Sequence, residues 1–298
     1  MSNTIDKVKS RAADYRRDGA ICLPNVLDTT ALVEAERYYN WSIKHPSPSA
    51  CQFFEKDDGT FYQDQCHPDA AINYRDFLEK TILADVVAAL WGTDDVWFLY
   101  EQVFLKEGAR ARRTPWHQDS SYLALDGEHI AVVWVNFDRV RQDQSLEFVR
   151  GSHLTTLYDG SAFDADDPTK PVYGEGLPRL PDIESDRANW DIVSWAVNPG
   201  DVVVFHPSTL HGGSPTDGTR RRTLSLRFFG PDAVYAVRPK PALAPLVAGL
   251  HDNFTAGEAF RHIAFPRLRP TPAGFEEVSS ARAHTVSVKA QMQGGASD

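Results

Sequence analysis

Cysteine is scarce in this chain, and its scarcity narrows the options. Cys22, Cys51 and Cys66 are odd in number and lack zinc-type pair spacing, which excludes a disulfide framework and a cysteine metal site. Long apolar runs are absent as well. No stretch approaches the roughly 20 residues that cross a bilayer, and the opening Met1-Ser2-Asn3-Thr4-Ile5-Asp6-Lys7 has no hydrophobic signal core. The expectation is a soluble, cytoplasmic protein without membrane association. Positive charge is in deficit, with 31 Lys and Arg against 41 Asp and Glu and a formal net charge of −10. Phosphate binding needs a basic surface that this chain lacks, so nucleic acid is not expected as a partner. Internal repeats are missing too. What is present, 298 residues with 42% hydrophobic and 24% charged, suffices to bury a large core in one domain.

Coarse periodicity orders the chain as helices first and strands afterwards, an α+β arrangement that is mainly β. Helical spacing covers 5–17 and 29–44, with Asp28 placed to cap the second, and the strand-like run Ala20–Val26 lies between them. A third helix is expected over about 73–91. Strands are then expected at Asp95–Leu105, Thr114–Tyr122, Ile130–Asp138, Leu146–Val149, Trp195–Val197, Asp201–Phe205 and Thr223–Phe229. The segment Leu154–Ile192, rich in Pro, Gly and Asp, has the character of a lid or binding loop. Phe53, Phe54, Phe61 and Tyr62 form either a packed satellite cluster or substrate contacts. Residues 1–270 are expected to form the single domain, and 271–298 a tail ending in small polar residues.

The densest chemistry sits at His117-Gln118-Asp119. A His and an Asp two apart on a strand point to the same side and can grip one ion together. His211 is the proposed third ligand; it follows the buried-type run Val202-Val203-Val204-Phe205 and enters a His-Gly-Gly turn. Two imidazoles and one carboxylate leave open positions on an octahedral ion, the donor set of non-haem Fe(II) oxygenases. Farther on, Arg221, Thr223, Ser225 and Arg227 share one face of a strand, and Arg222, Leu224, Leu226 and Phe228 share the other. The first set resembles a polar barrel interior. A guanidinium there with a hydroxyl beside it suits bidentate capture of a carboxylate.

These residues carry a family resemblance. Pro115-Trp116-His117-Gln118-Asp119, Trp134, Leu146-Glu147-Phe148-Val149-Arg150-Gly151-Ser152-His153, His211-Gly212-Gly213 and Arg221-Arg222-Thr223-Leu224-Ser225 together resemble the phytanoyl-CoA dioxygenase family of Fe(II)- and 2-oxoglutarate-dependent oxygenases. The likeness runs from about Tyr15 to about Pro239. It implies a double-stranded β-helix, a jelly-roll, cupin-like barrel with helices packed on one sheet. It implies His117, Asp119 and His211 as Fe(II) ligands and Arg221 as partner of the far carboxylate of 2-oxoglutarate. It also implies O2 as cosubstrate, a small-molecule substrate that is hydroxylated or desaturated, and release of succinate and CO2. Family spacing from the last His selects Arg222 instead, whereas register against Thr223-Leu224-Ser225 selects Arg221. Register is preferred, because a one-residue slip reverses every side chain while loop lengths vary freely.

Asp143-Gln144-Ser145-Leu146 departs from the family's usual Asn-Gly-x-Leu, and Arg150 stands where Pro is common. Gln102, Trp134 and Ser225 are further candidates to contact the cosubstrate. Asp119 separates the chain from related halogenases, which lack the carboxylate. Two alternatives stand beside this reading: a cupin-type metalloenzyme that does not use 2-oxoglutarate, and a non-catalytic barrel that binds a small ligand. Arg110, Arg112 and Arg113 crowd the approach to His117, as a solvated loop or as contacts for an anionic substrate. His129, His153 and His206 are expected to be structural. Substrate identity and oligomeric state are not written in these motifs.

Overall fold

A computed structural model describes residues 2–54, 59–108 and 110–270; the expected tail, 271–298, lies outside the described residues. Its helices are α1 (Ser2–Ser10), α2 (Ala12–Asp18), α3 (Thr29–Lys44), α4 (Ala70–Asn73), α5 (Arg75–Lys80) and α6 (Ile82–Trp91). Its strands are β1 (Ala20–Leu23), β2 (Cys51–Gln52), β3 (Gly59–Gln65), β4 (Val96–Gly108), β5 (Arg110–Ala111), β6 (Thr114–His117), β7 (Leu125–Asp126), β8 (Ile130–Asn136), β9 (Leu146–Val149), β10 (Ile192–Ser194), β11 (Val202–Phe205), β12 (His211–Gly213), β13 (Thr216–Asp217), β14 (Arg221–Phe229), β15 (Val234–Tyr235) and β16 (Arg267–Arg269).

Local chemistry sets the helix ends. Asp28 accepts from the Ala31 amide at 2.8 Å and caps α3 as expected. The long helix expected over 73–91 is broken, because Thr81 is extended and its hydroxyl accepts from the Leu83 amide to start α6 afresh. The helix expected over 5–17 is likewise divided at Arg11, where ψ is 0°. No strand forms at Trp195–Val197. The ladder lies at β10 instead and stops where the Ser194 hydroxyl bonds the carbonyls of Leu146 and Gln142. Val197 makes only an isolated bridge to Val140.

Two antiparallel sheets face each other in a jelly roll. The larger runs β1-β11-β8-β14-β4-β3-β2, with β16 also on β4, and the smaller runs β10-β9-β12-β6. No ladder joins them among the described residues, so the barrel is not closed. Alternation gives the large sheet two unlike faces. Val133, Val135, Val204, Leu224, Leu226 and Phe228 point outward into one core with Tyr39, Leu83, Val87 and Leu90 of the helices. At about 1.5–3 kcal/mol for each fully buried side chain, this layer outweighs the exposed ion pairs. The opposite face carries Gln102, Lys106, Trp134, Arg221, Thr223, Ser225 and Arg227 into the cavity between the sheets. A second core around Phe229, Phe260 and Phe265 holds the chain after β14 against Leu123 and Leu125. No helix among the described residues is long and apolar enough to cross a membrane.

Candidate metal and cosubstrate site

His211 and His117 are register partners on β12 and β6, with ring centroids 4.2 Å apart. The expected His-Gly-Gly turn is in fact strand β12, threaded between β6 and β9. Glycine permits that approach. A Cβ on Gly212 would stand 3.0 Å from the Thr114 carbonyl oxygen, and one on Gly213 2.9 Å from the Thr114 hydroxyl.

The strand expected to run through Tyr122 ends at His117, and Asp119 opens a short 3-10 turn. Gln118 remains extended, so His117 and Asp119 still share a side. Its amide anchors the bend from the other side, donating to the carbonyls of Ser208 (2.7 Å) and Thr156 (3.1 Å) and accepting from the Tyr158 amide (2.8 Å).

Ligand atoms of His117, Asp119 and His211 all lie within 4.8 Å of one another. The Nδ1 of His117 donates to the Pro115 carbonyl and that of His211 to the Thr209 carbonyl, each at 2.8 Å. A carbonyl only accepts, so this tautomer leaves an Nε2 lone pair on both rings. Those lone pairs face Oδ1 of Asp119 at 3.3 and 3.8 Å. Three acceptors converging on one point repel one another, and a cation among them removes the conflict. Burial pushes the His211 pKa down to about 3, with His117 adding to the effect, so the ring is neutral as a metal ligand requires. Burial also pushes the Asp119 carboxyl up, but the Arg227 guanidinium beside it outweighs burial and holds the group well below its usual range. The donor set fits Fe(II).

In the same cavity lie two basic side chains. Arg221 is 5% exposed; its Nη1 donates to the Gln144 carbonyl at 2.5 Å, and its guanidinium lies 5.7 Å from the Trp134 ring. Burial lowers its pKa to about 10. Lys106 is its register partner on β4, 1% exposed, donating to the Arg112 carbonyl (2.8 Å) and the Thr114 hydroxyl (3.0 Å) and lying 4.0 Å over Phe61. Burial, then Arg221 and Arg113, push the Lys106 pKa well down. Among the described residues no carboxylate pairs with either. Arg222 points the other way, to Asp138 (2.8 Å) and Glu36 on α3.

Comparison with known proteins bears on this geometry. The family model for phytanoyl-CoA dioxygenase (PhyH) matches residues 15–223, more than two thirds of the chain. The chain belongs to the phytanoyl-CoA dioxygenase family. As a member it is a 2-oxoglutarate-dependent non-haem iron enzyme, with Fe(II) as metal and 2-oxoglutarate and O2 as cosubstrates. No curated protein sequence matches it. Among solved structures it is similar to the epimerase SnoN from nogalamycin biosynthesis in complex with Fe3+, alpha ketoglutarate and nogalamycin RO. That match has 22% identity and TM-score 0.66 and covers 89% of this chain and 99% of that one. It is similar also to the carbocyclase SnoK from the same pathway, at 19% identity and TM-score 0.64, covering 87% and 96%. AviO1 from Streptomyces viridochromogenes Tue57 matches at 25% identity and TM-score 0.56, covering 75% and 95%.

Of the other phytanoyl-CoA dioxygenase-like positions, Gln102, Trp134 and Ser225 all line the cavity that holds the triad and Arg221. Gln102 is already engaged, however: its Nε2 donates to Gln63 Oε1 (2.9 Å) and its Oε1 accepts from Arg227 (2.6 Å). Arg112 and Arg113 are not among the cavity-lining residues. Arg113 pairs with Glu147 (2.6 Å) and Glu184 (3.1 Å) on the outer face of the small sheet, because two carboxylates await it there. Arg112 bonds the Ala165 carbonyl and lies over Phe54, while the side chain of Arg110 lies outside the described residues. His129 pairs with Asp232, His153 contacts the Arg16 carbonyl and His206 the Gly127 carbonyl, all away from the triad.

The segment 154–192 is fastened from behind. Arg187 and Glu184 of a 3-10 turn bind Glu147 and the Trp116 indole NH, each at 2.6 Å. Its Phe163 reaches inward, edge-on to His117 with centroids 5.4 Å apart and stacked on Phe53 at 5.0 Å. Lys106, Phe163 and the cavity-lining Leu243 and Ala244 had no place in the site drawn from sequence, and Arg227 was placed on the inward face without a partner. For Lys106 a signal existed: Tyr100, Gln102, Phe104 and Lys106 alternate on one face of β4.

Proposed function

We propose that the protein is a 2-oxoglutarate-dependent oxygenase that hydroxylates or desaturates a small-molecule metabolite. In this reading His117, Asp119 and His211 hold Fe(II), Arg221 receives the far carboxylate of 2-oxoglutarate, and Gln102, Trp134 and Ser225 complete the cosubstrate wall. One observation carries it: two buried basic side chains, the charged Arg221 and Lys106, share the triad's cavity without a carboxylate partner among the described residues. Desolvated cations without counter-charge are costly, and they mark a place where an anion belongs. At an effective dielectric of about 20, one carboxylate about 4 Å away recovers on the order of 4 kcal/mol.

When bound, Fe(II) supplies the coupling of O2 reduction to decarboxylation of 2-oxoglutarate. Everything else falls to the chain. Backbone carbonyls of Pro115 and Thr209 keep both Nε2 atoms directed inward, Trp134 and Leu146 exclude water, and Arg221 orients the keto acid by its distant end. Tyr122, Phe163, Leu243 and Ala244 form an apolar wall on the triad side, suited to presenting a C–H bond. The similar fold carries an epimerase and a carbocyclase. We assign hydroxylation or desaturation on Asp119, the carboxylate that halogenases lack. Three free thiols agree with a reducing, cytoplasmic setting.

The test is succinate release from Fe(II)-loaded protein supplied with 2-oxoglutarate and O2, across a panel of small apolar metabolites. Release that needs all three components supports the reading. Binding of both without succinate on any substrate refutes catalysis and favours a ligand-binding protein, and product formed without 2-oxoglutarate favours a cupin-type metalloenzyme.

A further inference from the structure

Arg227 lies on the inner face of β14, six residues beyond Arg221, and is 4% exposed. Its Nη2 donates to Oδ2 of Asp119 at 2.8 Å and to Oε1 of Gln102 at 2.6 Å. Gln102 is fixed in turn by Gln63, and the guanidinium lies 4.6 Å over the Tyr100 ring. The two oxygens of Asp119 are thereby divided. Oδ1 faces Nε2 of His117 and of His211, whereas Oδ2 is held by Arg227. Among the described residues Arg227 is the side chain that donates to Oδ2.

We propose that Arg227 is a positioning residue that restricts Asp119 to a single ligand oxygen. The inference rests on the function proposed above and adds a role that the metal ligands cannot supply for themselves. A carboxylate beside a divalent ion binds through one oxygen or chelates through two. With two imidazoles and one oxygen, an octahedral ion keeps three positions, enough for a bidentate keto acid and O2. A chelating Asp119 consumes one of them. By occupying Oδ2 with a charge-assisted hydrogen bond, Arg227 protects a coordination position, and the Gln102–Gln63 chain and Tyr100 ring keep it in place.

The role predicts a split between two affinities, measured with Co(II), which resists air oxidation. In Arg227→Met the Co(II) dissociation constant without cosubstrate stays at or below the wild-type value, because a chelating Asp119 binds the ion at least as well. The 2-oxoglutarate dissociation constant of the Co(II)-loaded variant rises about tenfold to a hundredfold, the usual effect of losing an outer-shell partner. The visible Co(II) spectrum changes shape before cosubstrate is added.

Cosubstrate affinity within twofold of wild type overturns the proposal. Parallel loss of metal and cosubstrate affinity with a lowered melting temperature also overturns it, in favour of a purely structural ion pair. Should the Met variant not fold, Arg227→Lys keeps a cation in the cavity and is read the same way, with an expected three- to tenfold loss of 2-oxoglutarate affinity at unchanged Co(II) affinity; equal affinities for both ligands overturn the role. A wild-type protein that binds neither Co(II) nor 2-oxoglutarate refutes the function itself and this role with it, whereas wild-type binding with an unaffected variant refutes the role alone.

Discussion

Replacing Arg221 with Met separates stability from function, because the two respond in opposite directions. Arg221 is buried without a carboxylate among the described residues, and its pKa falls from the usual 12.5 to about 10 through burial alone. Below both values the guanidinium is charged in the folded and unfolded chain alike, so burial costs about 3 kcal/mol at neutral pH. Met removes that cost at similar length and forfeits one hydrogen bond to the Gln144 carbonyl, about 1 kcal/mol. Ligand-free Arg221→Met is therefore expected to be more stable by about 2 kcal/mol, a rise of roughly 4 °C in melting temperature. The advantage shrinks as pH climbs past about 10, where the folded wild-type group begins to lose its proton. Cosubstrate binding moves the other way. Losing the charge pair forfeits on the order of 4 kcal/mol, of which Lys106 retains a share, so about 2–3 kcal/mol is lost. The Michaelis constant for 2-oxoglutarate then rises roughly 30- to 150-fold. Calorimetry of the ligand-free protein and succinate assays over a cosubstrate series measure the two effects. A variant that melts lower than wild type and keeps its Michaelis constant within threefold would refute the reasoning.

Other substitutions probe the remaining parts of the site. Asp119→Ala is expected to abolish succinate release and to weaken Co(II) binding by at least an order of magnitude; full activity would remove Asp119 from the ligand set. Arg222→Ala, which breaks the outward pairs to Asp138 and Glu36, is expected to cost about 1–2 kcal/mol of stability and to leave the 2-oxoglutarate Michaelis constant unchanged. A large rise in that constant would mean that the register of β14 is misread. Gly212→Ala places a Cβ against the Thr114 carbonyl oxygen at 3.0 Å, so β12 must shift and carry His211 with it. The expected result is weaker metal binding with secondary structure retained, checked by Co(II) titration beside far-UV circular dichroism.

Much of the site was legible because its residues obey strand parity. His117 and Asp119 could be paired from spacing two, and the inward set Arg221, Thr223, Ser225 and Arg227 from alternation alone. The same reasoning passed over Lys106. A lysine on a strand ordinarily reaches solvent, and only the approach of β3 and β6 encloses this one beneath Phe61 and Thr114. Distance in sequence hid Arg227's partner as well, since Asp119 lies 108 residues earlier. The His-Gly-Gly stretch was read as a turn because glycine pairs usually break strands. Here the missing side chains are what let a third strand pass between two others. The two readings of Arg113 stayed open for a related reason, because Glu147 and Glu184 come from separate segments that meet only across the outer face of the small sheet.

That outer-face arrangement bears on how such a scaffold diversifies. Segment 154–192 is moored at its far end by Arg187 and Glu184 to Glu147 and Trp116, and at its near end by the Gln118 amide. Neither mooring uses the Phe163 ring, although the carbonyls of its neighbours Ser161 and Ala165 accept from the Tyr122 hydroxyl and from Arg112. On the function proposed above, the Phe163 ring is thus a side chain that can be exchanged within a fixed frame: its substitution is expected to change which molecule is admitted while the moorings of the segment stay in place. New substrate ranges then arise from a few exchanges in one segment, without redesign of the oxygen chemistry beneath it.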